Sequence, residues 1–244
     1  MQIADARTLW RMIRGQPSAV SLRDRLEGFY APQANRYDAF RERLLHGRQA
    51  LVSRLPTGPG MKVVELGGGT GRNLDYFGER LHEIARYWLV ELAPSMAGRA
   101  RARAAAYPNV HVIEADAVRF VPPDAVDCVL FSYSLTMMPD WFLAVDNAVS
   151  MLRPGGVLGV VDFTVSARYP APGRVRHGFV TRAFWPLWFA HDGVYLSPDH
   201  LPYLQARLAT LCCEERLARV PHVPGLRVPW YLFIGRKARP PAEA

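Results

Sequence analysis

A glycine-rich loop and a later glutamate are the residues of this chain whose types and spacing best suit ligand chemistry. The run Val63-Val64-Glu65-Leu66 leads directly into the loop GGGTG at residues 67–71. A second apolar run, residues 86–90, ends at Glu91, about 20 residues beyond the loop. Glycines let the backbone approach a ligand at φ angles that other residues resist. Because a carboxylate at the end of the next strand can bind ribose hydroxyls, the pair predicts a site for an adenosine-containing cofactor.

The spacing of the glycines favours one kind of cofactor. A dinucleotide loop reads G-x-G-x-x-G and seats a pyrophosphate on the following helix N-terminus. This chain reads G-x-G-x-G at Gly67, Gly69 and Gly71, and Glu65 would repel a pyrophosphate but suits a cationic ligand. The pattern resembles motif I of the class I S-adenosylmethionine (SAM) methyltransferases. The resemblance implies SAM as the cofactor, S-adenosyl-L-homocysteine as its product and methyl transfer as the activity.

Strand and helix signals alternate around this loop. Strands are predicted at about 62–66, 86–91, 110–114, 126–132 and 157–163. Helices are predicted at about 22–55, after Gly71, at about 94–106, and from Pro139 and Ser197 onwards. Such alternation indicates a parallel sheet with right-handed crossovers, and the runs 211–220 and 229–236 predict a strand pair at its edge.

The expected fold class is α/β, with a Rossmann-like class I methyltransferase fold. This means a mostly parallel seven-stranded sheet with helices on both faces and an antiparallel C-terminal edge strand. Residues 1–55 are expected to form an N-terminal helical segment that covers the active site, and residues 56–237 the SAM-binding core. Within that core, residues 165–197 are interpreted as an aromatic insertion that faces substrate or membrane. Residues 238–244 are expected to be a flexible tail.

The composition is that of a folded, arginine-rich domain. The 244 residues suffice for one large α/β domain, and 50% of them are hydrophobic, which argues against a disordered chain. No apolar run reaches the roughly 18 residues of a transmembrane helix, and no secretory signal is expected. Cys128, Cys212 and Cys213 lack zinc-ligand spacing, so we expect buried thiols in a reducing compartment and no metal site.

Arginine carries almost all of the positive charge. The formal net charge is +8, and Lys62 and Lys237 are the only lysines. Such a balance favours an anionic partner, either a nucleic acid or an anionic membrane surface. Codon bias in a GC-rich genome is an equally good explanation of the arginine content, so charge alone leaves the partner open.

Other segments resemble cofactor-binding parts of the SAM methyltransferases. Asp116, after the third predicted strand, resembles the acidic residue that binds the adenine amino group, and residues 152–156 resemble the turn before strand five. The loop at 132–139, which in this family faces the sulfonium methyl, lacks the Asn/Asp-Pro-Pro-Tyr signature of nucleic-acid adenine and glutamine methyltransferases. The resemblance implies these cofactor-binding residues: Tyr30, Tyr37, Glu65, Gly67, Gly69, Gly71, Asn73, Glu91, Leu92, Asp116, Ala117 and Ser132.

The N-terminal segment carries a narrower resemblance. The strings FYAPQANRYD at residues 29–38 and RLLHGR at 43–48, with Arg41 between them, resemble the betaine-lipid (diacylglyceryl-homoserine) N-methyltransferase family. The resemblance continues in GGGTGRN at 67–73 and DGVYL at 192–196, and spans about residues 25–236. It implies N-methylation of a lipid head-group amine, from diacylglyceryl-homoserine to diacylglyceryl-trimethylhomoserine. It also implies a functional partner, an aminocarboxypropyl transferase that supplies the homoserine head group.

Aromatic residues next to basic ones agree with a lipid substrate. The stretch 179–195 contains Trp185, Trp188 and four phenylalanine or tyrosine side chains together with Arg182 and His191, a combination that suits a membrane interface. The N-terminal residues Arg7, Trp10, Arg11 and Arg14 could add a basic contact with anionic head groups. The alternative is that these aromatics are core residues or a lid. We expect a cytoplasmic protein peripherally associated with the inner face of the membrane.

Candidate residues for the chemistry follow from its charges. The acceptor amine must lose a proton before it is methylated, so the site needs a proton acceptor. The product is a quaternary cation, which aromatic faces can bind. The catalytic candidates are Tyr37, Tyr133, Asp140 and His191. Arg41, Arg43, His46 and Arg48 are candidates for binding a substrate carboxylate, and Trp185 for the lipid. For each of these residues the alternative is an ordinary structural role, in the core, in a helix cap or on a solvated helix face.

Three other functions stay open on the sequence. The substrate of the same chemistry could be phosphatidylethanolamine or a quinone precursor. An RNA methyltransferase would use the arginines on phosphates and would bind with strong salt dependence, although nucleic acid is the less favoured partner. A non-catalytic SAM-binding protein is disfavoured by the intact set Glu65, Glu91 and Asp116.

Overall fold

The computed structural model describes residues 21–31, 44–221, 223 and 225–239. Tyr37, Arg41, Arg43 and the basic residues of segment 1–20 lie outside the described residues, as does the tail from residue 240. The helices are α1 (Leu22–Tyr30), α2 (Arg48–Arg54), α3 (Asn73–Phe77), α4 (Arg80–Glu83), α5 (Pro94–Ala104), α6 (Trp141–Met151), α7 (Phe179–Ala190) and α8 (His200–Arg207). The strands are β1 (Lys62–Leu66), β2 (Arg86–Glu91), β3 (Val110–Glu114), β4 (Val126–Ser132), β5 (Leu152–Phe163), β6 (Ala209–Arg219) and β7 (Arg227–Arg236).

The strands form one seven-stranded sheet in the order β3-β2-β1-β4-β5-β7-β6. Strands β1 to β5 pair in parallel, and β7 pairs antiparallel with both β5 and β6. The prediction of a mostly parallel sheet with antiparallel pairing at its C-terminal edge is confirmed. The strand that runs against the others is β7, one position in from the edge, and β6 is outermost.

The core lies on both faces of this sheet. Strand β4 is almost wholly apolar because its residues Cys128 to Phe131 are buried from either side. On one face Leu51 and Val52 of α2 pack with Val157 and Val161, and on the other Ala144 and Val145 of α6 pack with Val129 and Phe131. Gly159 allows the first contact, since a Cβ there would lie 2.7 Å from Leu55 Cδ2.

The predicted continuous helix from 22 to 55 is wrong at residues 45–47, which form a turn before α2. Gly47 has φ +83°, and a Cβ at this position would lie 2.3 Å from the Trp230 ring. Helical backbone cannot follow that path, so the chain turns where β7 presents Trp230. A smaller difference concerns residues 153–156, which belong to β5 itself because α6 passes directly into that strand at Leu152.

The strand order places a crevice at one edge of the sheet. Strand β1 lies between β2 and β4, so the chain leaves β1 in one direction for β2 and β3 and in the other for β4 and β5. The loops that follow β1, β2 and β4 therefore diverge at their carboxyl ends, which is where open α/β sheets bind ligands. Among the residues described, no helix combines the length and apolar character needed to cross a bilayer.

Candidate active site

A cavity of about 930 Å³, counting the part open to solvent, occupies this crevice. Its walls come from α1, α2, the glycine loop after β1, the ends of β2 and β3, and the loop after β4. The lining residues are Leu22, Leu26, Tyr30, Leu45, Arg48, Gly67, Gly68, Gly69, Thr70, Arg72, Asn73, Val90, Glu91, Leu92, Met96, Ala115, Asp116, Ala117, Ser132, Tyr133, Ser134, Met137 and Met138. Nine of the twelve predicted cofactor-binding residues, all but Glu65, Gly71 and Tyr37, thus lie on one surface.

The glycine loop forms a wall of bare backbone. Gly67 has φ +72°, and a Cβ there would lie 2.5 Å from Ser134 Cβ; a Cβ on Gly68 would lie 2.4 Å from Leu89 Cγ. The amides of Gly67 and Gly68 both donate to the Val90 carbonyl, at 2.8 and 3.0 Å, which ties the loop to the end of β2. Side chains are therefore excluded from the loop, and a ligand can contact its main chain directly.

Glu91 is held at the end of β2 with its carboxylate on the cavity wall. Its two oxygens accept hydrogen bonds from the amides of Gly69 and Ala93, each at 2.8 Å. Burial raises the pKa of Glu91, and the backbone donors oppose that rise. Since a carboxylate oxygen can accept more than one hydrogen bond, both oxygens retain capacity for ligand hydroxyls. This is the arrangement expected of a ribose-binding carboxylate.

Glu65 lies behind the glycine loop and is absent from the cavity lining that the described residues form. Tyr87 Oη and Asn73 Nδ2 each donate to it at 2.6 Å. Burial raises the pKa of Glu65 to about 7, while these two donors and the nearby Arg48 charge oppose the rise. Its direct contact with the cofactor stays a prediction. The observed bonds show a second role, which is to orient Asn73 at the start of α3.

The end of β3 supplies the other acidic group of the cavity. Asp116 Oδ1 accepts a hydrogen bond from the Val118 amide at 2.9 Å, which holds the carboxylate in the turn after β3. Its second oxygen is available to a ligand amino group. Ala117 and Leu92 line the same side of the cavity, so a flat apolar ring could lie between them with its polar edge toward Asp116.

Two buried polar atoms on the cavity wall test whether a ligand fits here. Ser132 Oγ and Asn73 Oδ1 have no hydrogen-bond partner among the residues described. Buried polar atoms in native proteins are nearly always bonded, so such atoms on a cavity wall indicate a polar ligand. Together with Glu91 and Asp116 they provide acceptors for ribose, an amino group and an ammonium group. The residues present therefore fit an adenosine-containing, cationic cofactor.

The loop after β4 is strained and firmly anchored. Tyr133 has φ +55°, a rare value for a tyrosine, and its hydroxyl donates to the His46 carbonyl at 2.6 Å. Ser134 Oγ donates to the Leu66 carbonyl at 2.8 Å. Asp162 accepts a 2.7 Å bond from Thr136 Oγ1, and burial raises its pKa to about 6. These bonds hold the loop over the cavity at a backbone angle that is sparsely populated.

Tyr133 faces the cavity as a neutral phenol. Burial raises its pKa well above the ordinary value, and its proton is engaged by the His46 carbonyl. It can therefore offer a ring surface to a ligand but is a poor proton acceptor. Tyr133 therefore lies on the cavity wall, and its catalytic role stays a prediction.

Two arginines line the cavity beside the glycine loop. The buried Arg48 begins α2, and its guanidinium carbon lies 5.6 Å from the centre of the Tyr76 ring. Arg72 lies over the same ring at 5.7 Å and also bonds Asp75 at 2.5 Å. Arg72 was not predicted as a site residue. The two guanidiniums give this end of the cavity the charge needed to bind a carboxylate.

Several predicted residues lie away from the cavity lining among the described residues. Asp140 is exposed and caps α6 through its backbone, and His191 is exposed at the end of α7. His46 contributes its carbonyl to Tyr133, while its ring is not on the cavity wall. Trp185 is buried in an aromatic cluster with Phe189 and Phe184. Gly71 packs beneath the loop against Leu89 and Ala100. Their assignments stay predictions without a contact in this cavity.

Sequence reasoning predicted an N-terminal segment over the site and a loop at 132–139 facing it, but it missed several of the residues with which they line the cavity. Leu22 and Leu26 of α1 line it because Glu27 accepts bonds from the amide and hydroxyl of Ser95, at 2.9 and 2.8 Å, which dock α1 on α5. Met137 and Met138 line it from the loop after β4. The methionines stand in a segment whose place near the site was predicted. No local signal marks the two leucines, because only the long-range contact brings them there.

Comparison with known proteins agrees with this geometry. Residues 63–156 match the family model described as a methyltransferase domain. A ubiquinone/menaquinone biosynthesis C-methyltransferase, UbiE, of Vibrio cholerae is 33% identical over 110 residues, which is 43% of this chain and 42% of that protein. The match thus spans less than half the length of such curated relatives. Residues 63–156 hold the glycine loop, Glu91 and Asp116, so the matched part contains the cofactor side of the cavity.

Solved structures show the same fold at low sequence identity. The N-methyltransferase NodS of Bradyrhizobium japonicum, in complex with S-adenosyl-L-homocysteine, is 17% identical with a TM-score of 0.58, covering 82% of this chain and 97% of NodS. The [4+2]-cyclase SpnF is 16% identical with a TM-score of 0.68, covering 93% of this chain and 99% of SpnF. Residues 63–156 thus match a methyltransferase domain, the sheet has the fold of these solved structures, and the cavity residues fit SAM as the cofactor. Since a cyclase shares the fold, the acceptor must be argued from the cavity.

Proposed function

We propose that this chain is a SAM-dependent N-methyltransferase of a lipid head-group amine, converting diacylglyceryl-homoserine to diacylglyceryl-trimethylhomoserine. The observation that carries the proposal is one cavity in which the cofactor loop adjoins two arginines and a wall of aromatic and thioether side chains. This combination suits an acceptor that bears a carboxylate beside its amine and that ends as a quaternary cation. An aminocarboxypropyl transferase that builds the homoserine head group is the functional partner that this substrate requires.

Different residues on the cofactor side of the cavity are assigned to different parts of SAM. In the proposed complex Glu91 binds ribose hydroxyls, Asp116 accepts from an adenine amino group, and the backbone of residues 67–69 lies along the amino-acid part, which their positions on the cavity wall support. When SAM is bound, the chemistry that it supplies is a transferable methyl group on a positively charged sulfur. The residues around it bind and orient; positioning of the amine near that methyl accounts for much of the rate.

The number of guanidiniums matches the number of carboxylates in the proposed complex. One carboxylate belongs to the amino-acid part of SAM and the other to the homoserine head group. Arg48 and Arg72 both line the cavity, and each is held near the Tyr76 ring. Arginine forks bind carboxylates with good geometry, so one guanidinium for each carboxylate is a consistent arrangement. We assign the buried Arg48 to the acceptor.

The opposite wall suits a methylated ammonium. Tyr30 and Tyr133 line the cavity with Met137 and Met138, and Tyr30 Oη lies 2.9 Å from Met137 Sδ. Aromatic faces attract quaternary cations, and methionine side chains adapt to a group that grows with each methyl added. A rigid polar wall would instead favour the first, least methylated state. The wall therefore supports successive transfers to one nitrogen.

The charges around the acceptor favour its reactive form. A primary ammonium has a pKa of about 10 in water, so the neutral amine is scarce near neutral pH. The guanidiniums of Arg48 and Arg72 lower the pKa of an amine placed beside them. Among the described lining residues the only carboxylates are Glu91 and Asp116, which lie on the adenosine side. We infer that the amine is bound neutral and that local positive charge helps to keep it so.

A second candidate is methylation of a quinone precursor at carbon. The observation that favours it is the 33% identity to the Vibrio cholerae quinone-biosynthesis C-methyltransferase over 110 residues. The family model covers residues 63–156, so Arg48 lies outside the matched part, while Arg72, Met137 and Met138 lie within it. A neutral polyprenyl ring has no carboxylate or ammonium to occupy those groups fully. The amino-acid head group therefore accounts for more of the cavity.

Reconstitution with defined acceptors tests the proposal. Purified protein would be incubated in detergent micelles with methyl-labelled SAM and one of four acceptors: diacylglyceryl-homoserine, phosphatidylethanolamine, a demethylated quinone precursor or RNA. Mass spectrometry then follows the mono-, di- and trimethylated products. We expect the trimethylated lipid from diacylglyceryl-homoserine only, and none with Glu91→Ala. Product from the quinone precursor alone would favour the second candidate, and labelled RNA would refute both.

A further inference from the structure

Helix α7 is apolar on both its inner and its outer side. Inside, Trp185 and Phe189 are buried against Phe163, with the Phe163 and Phe189 ring centroids 4.6 Å apart. Outside, four apolar side chains face solvent: Phe179 is 78% exposed, Val180 76%, Leu187 79% and Trp188 42%. A surface helix of a soluble protein normally turns polar residues outward, so this outer face indicates a contact that the chain alone does not provide.

The charge around this helix is of one sign. Between Asp162 and Asp192 the chain has four arginines and no acidic residue. Arg174 is engaged by Glu215 at 2.7 Å, and the exposed pair Arg168 and Arg176 lies at the Tyr169 ring, 5.3 and 5.9 Å from its centroid. Tyr169 is itself exposed. Exposed aliphatic and aromatic side chains with arginines at their border complement an anionic lipid surface.

The length of α7 defines how it would meet a bilayer. Twelve residues extend about 18 Å, well short of the roughly 30 Å hydrocarbon core, so the helix can lie in the interface but cannot span it. Pro186 within the helix leaves the Arg182 carbonyl without its usual donor, which an interfacial site with water tolerates.

We propose that α7 and the preceding segment form a docking surface for an anionic bilayer, with Phe179, Val180, Leu187 and Trp188 inserted and Arg168 and Arg176 on the head groups. The surface is linked to the cavity by a short chain of rings. Phe189 contacts Phe163, and Phe163 lies 4.7 Å from Tyr133, which lines the cavity. The docked face would then be separated from the cavity by these three rings, Phe189, Phe163 and Tyr133.

This inference deepens the proposed function, because a lipid acceptor has to reach the cavity from a membrane. Its test measures vesicle binding alone, so membrane docking and the proposed function can fail separately. Sedimentation with phosphatidylcholine vesicles, with and without phosphatidylglycerol, would compare wild-type protein with Leu187→Glu and with the double variant Arg168→Glu/Arg176→Glu. Matched controls are Leu211→Glu and Arg236→Glu/Arg239→Glu, exposed positions toward the end of β5, β6 and β7 that lies away from Phe163.

We expect wild-type protein to bind the anionic vesicles and to be released by salt. Both surface variants should weaken the partition by about tenfold or more, and both controls by much less. S-adenosylhomocysteine binding should stay unchanged in all variants, which shows that they fold. Binding of Leu187→Glu equal to wild type would overturn the proposal. So would a wild-type dimer that Leu187→Glu converts to a monomer without loss of vesicle binding, since a second copy would then be the occupant.

Discussion

At the scale of single residues, two buried glutamates near the glycine loop have different surroundings. Glu65 accepts from the side chains of Tyr87 and Asn73 and lies behind the loop. Glu91 faces the cavity and accepts from the backbone amides of Gly69 and Ala93. Both have a raised pKa because both are buried, so the direction of the shift does not separate their roles. Their positions do: Glu65 is held by side-chain donors behind the loop, while Glu91 faces the cavity, where its oxygens can accept further bonds from a ligand.

Removal of the Glu91 carboxylate should abolish tight cofactor binding. Glu91→Ala takes away the ribose acceptor and frees the Gly69 amide that it holds. Hydrogen bonds to a charged group contribute about 1.5 to 3 kcal/mol, so we expect S-adenosylhomocysteine affinity to fall roughly 100-fold by titration calorimetry. Glu83→Ala, at an exposed position at the end of α4, is the control and should bind normally. Equal affinities for the two variants would exclude Glu91 from the site.

Arg48 carries the assignment of the acceptor carboxylate. Arg48→Met keeps the length of the side chain and removes the guanidinium. We expect KM for the lipid acceptor to rise by about tenfold or more, with the acid limb of the activity profile moved to higher pH because the amine pKa is no longer lowered.

The control for this variant is Arg119→Met, an exposed arginine that does not line the cavity. Steady-state kinetics with each substrate varied in turn would separate the two carboxylates. A rise in KM confined to SAM would assign Arg48 to the cofactor instead and contradict its proposed role toward the acceptor.

At the scale of elements, the site depends on where helices stop. The turn at residues 45–47 ends at Gly47, and α2 then begins with Arg48 pointed at the cavity. The turn is required by Trp230 of β7, which occupies the space that a side chain at residue 47 would need. Strand β7 thus decides the position of an arginine that lines the cofactor cavity.

Gly47→Ala should destabilise the fold and misplace Arg48. The substitution adds a Cβ at φ +83° and 2.3 Å from the Trp230 ring. Left-handed backbone costs an alanine roughly 1 to 2 kcal/mol, and overpacking adds more, so we expect a loss of at least about 2 kcal/mol in the free energy of unfolding. Gly58→Ala, where a Cβ would meet no atom within 4 Å, should change it by less than about 0.5 kcal/mol. Urea unfolding measures both, and similar losses would contradict the steric argument.

At the scale of the whole molecule, packing of α8 on one face of the sheet buries the ring of His200. His200 at the start of α8 is fully buried beside Trp141, with ring centroids 4.6 Å apart. Neither ring nitrogen has a hydrogen-bond partner among the residues described. Burial lowers the pKa of His200 to about 4. The folded protein therefore keeps this ring neutral. In the unfolded chain the ring takes up a proton below its ordinary pKa of 6.5.

His200 should make the fold sensitive to acid. Because the folded pKa is depressed, His200 adds no pH dependence to the free energy of unfolding above pH 6.5. Stability is lost as the pH falls from there toward 4. Between about pH 7 and 4.5 the loss from this residue is roughly 2 kcal/mol. His200→Leu should remove that part of the pH dependence of urea unfolding. His111→Leu, at an exposed position on β3, should leave it intact, and identical pH profiles for both variants would contradict the assignment.

The cofactor half of the site was predictable because its signals are local. All seven strands of the sheet lie at or near the predicted residues, since apolar runs between turns identify strands without reference to the rest of the chain. Gly67, Gly69, Glu91 and Asp116 follow those strands directly, so the parallel order of the sheet brings them to one edge. For these residues, position along the chain and position in space are tied by a few backbone bonds.

The acceptor half was decided by contacts between distant segments. Trp230 turns the chain before Arg48. The bonds between Glu27 and Ser95 bring α1, with Leu22 and Leu26, to the cavity. In α7, ring packing buries Trp185 and leaves Trp188 exposed. Residue types and spacing determined the fold class, the cofactor loop and its carboxylates, because glycine stereochemistry and hydrophobic periodicity act over a few residues. Only the tertiary structure decided which arginines and aromatics face the cavity, because that depends on how side chains far apart in the chain exclude one another from the same space.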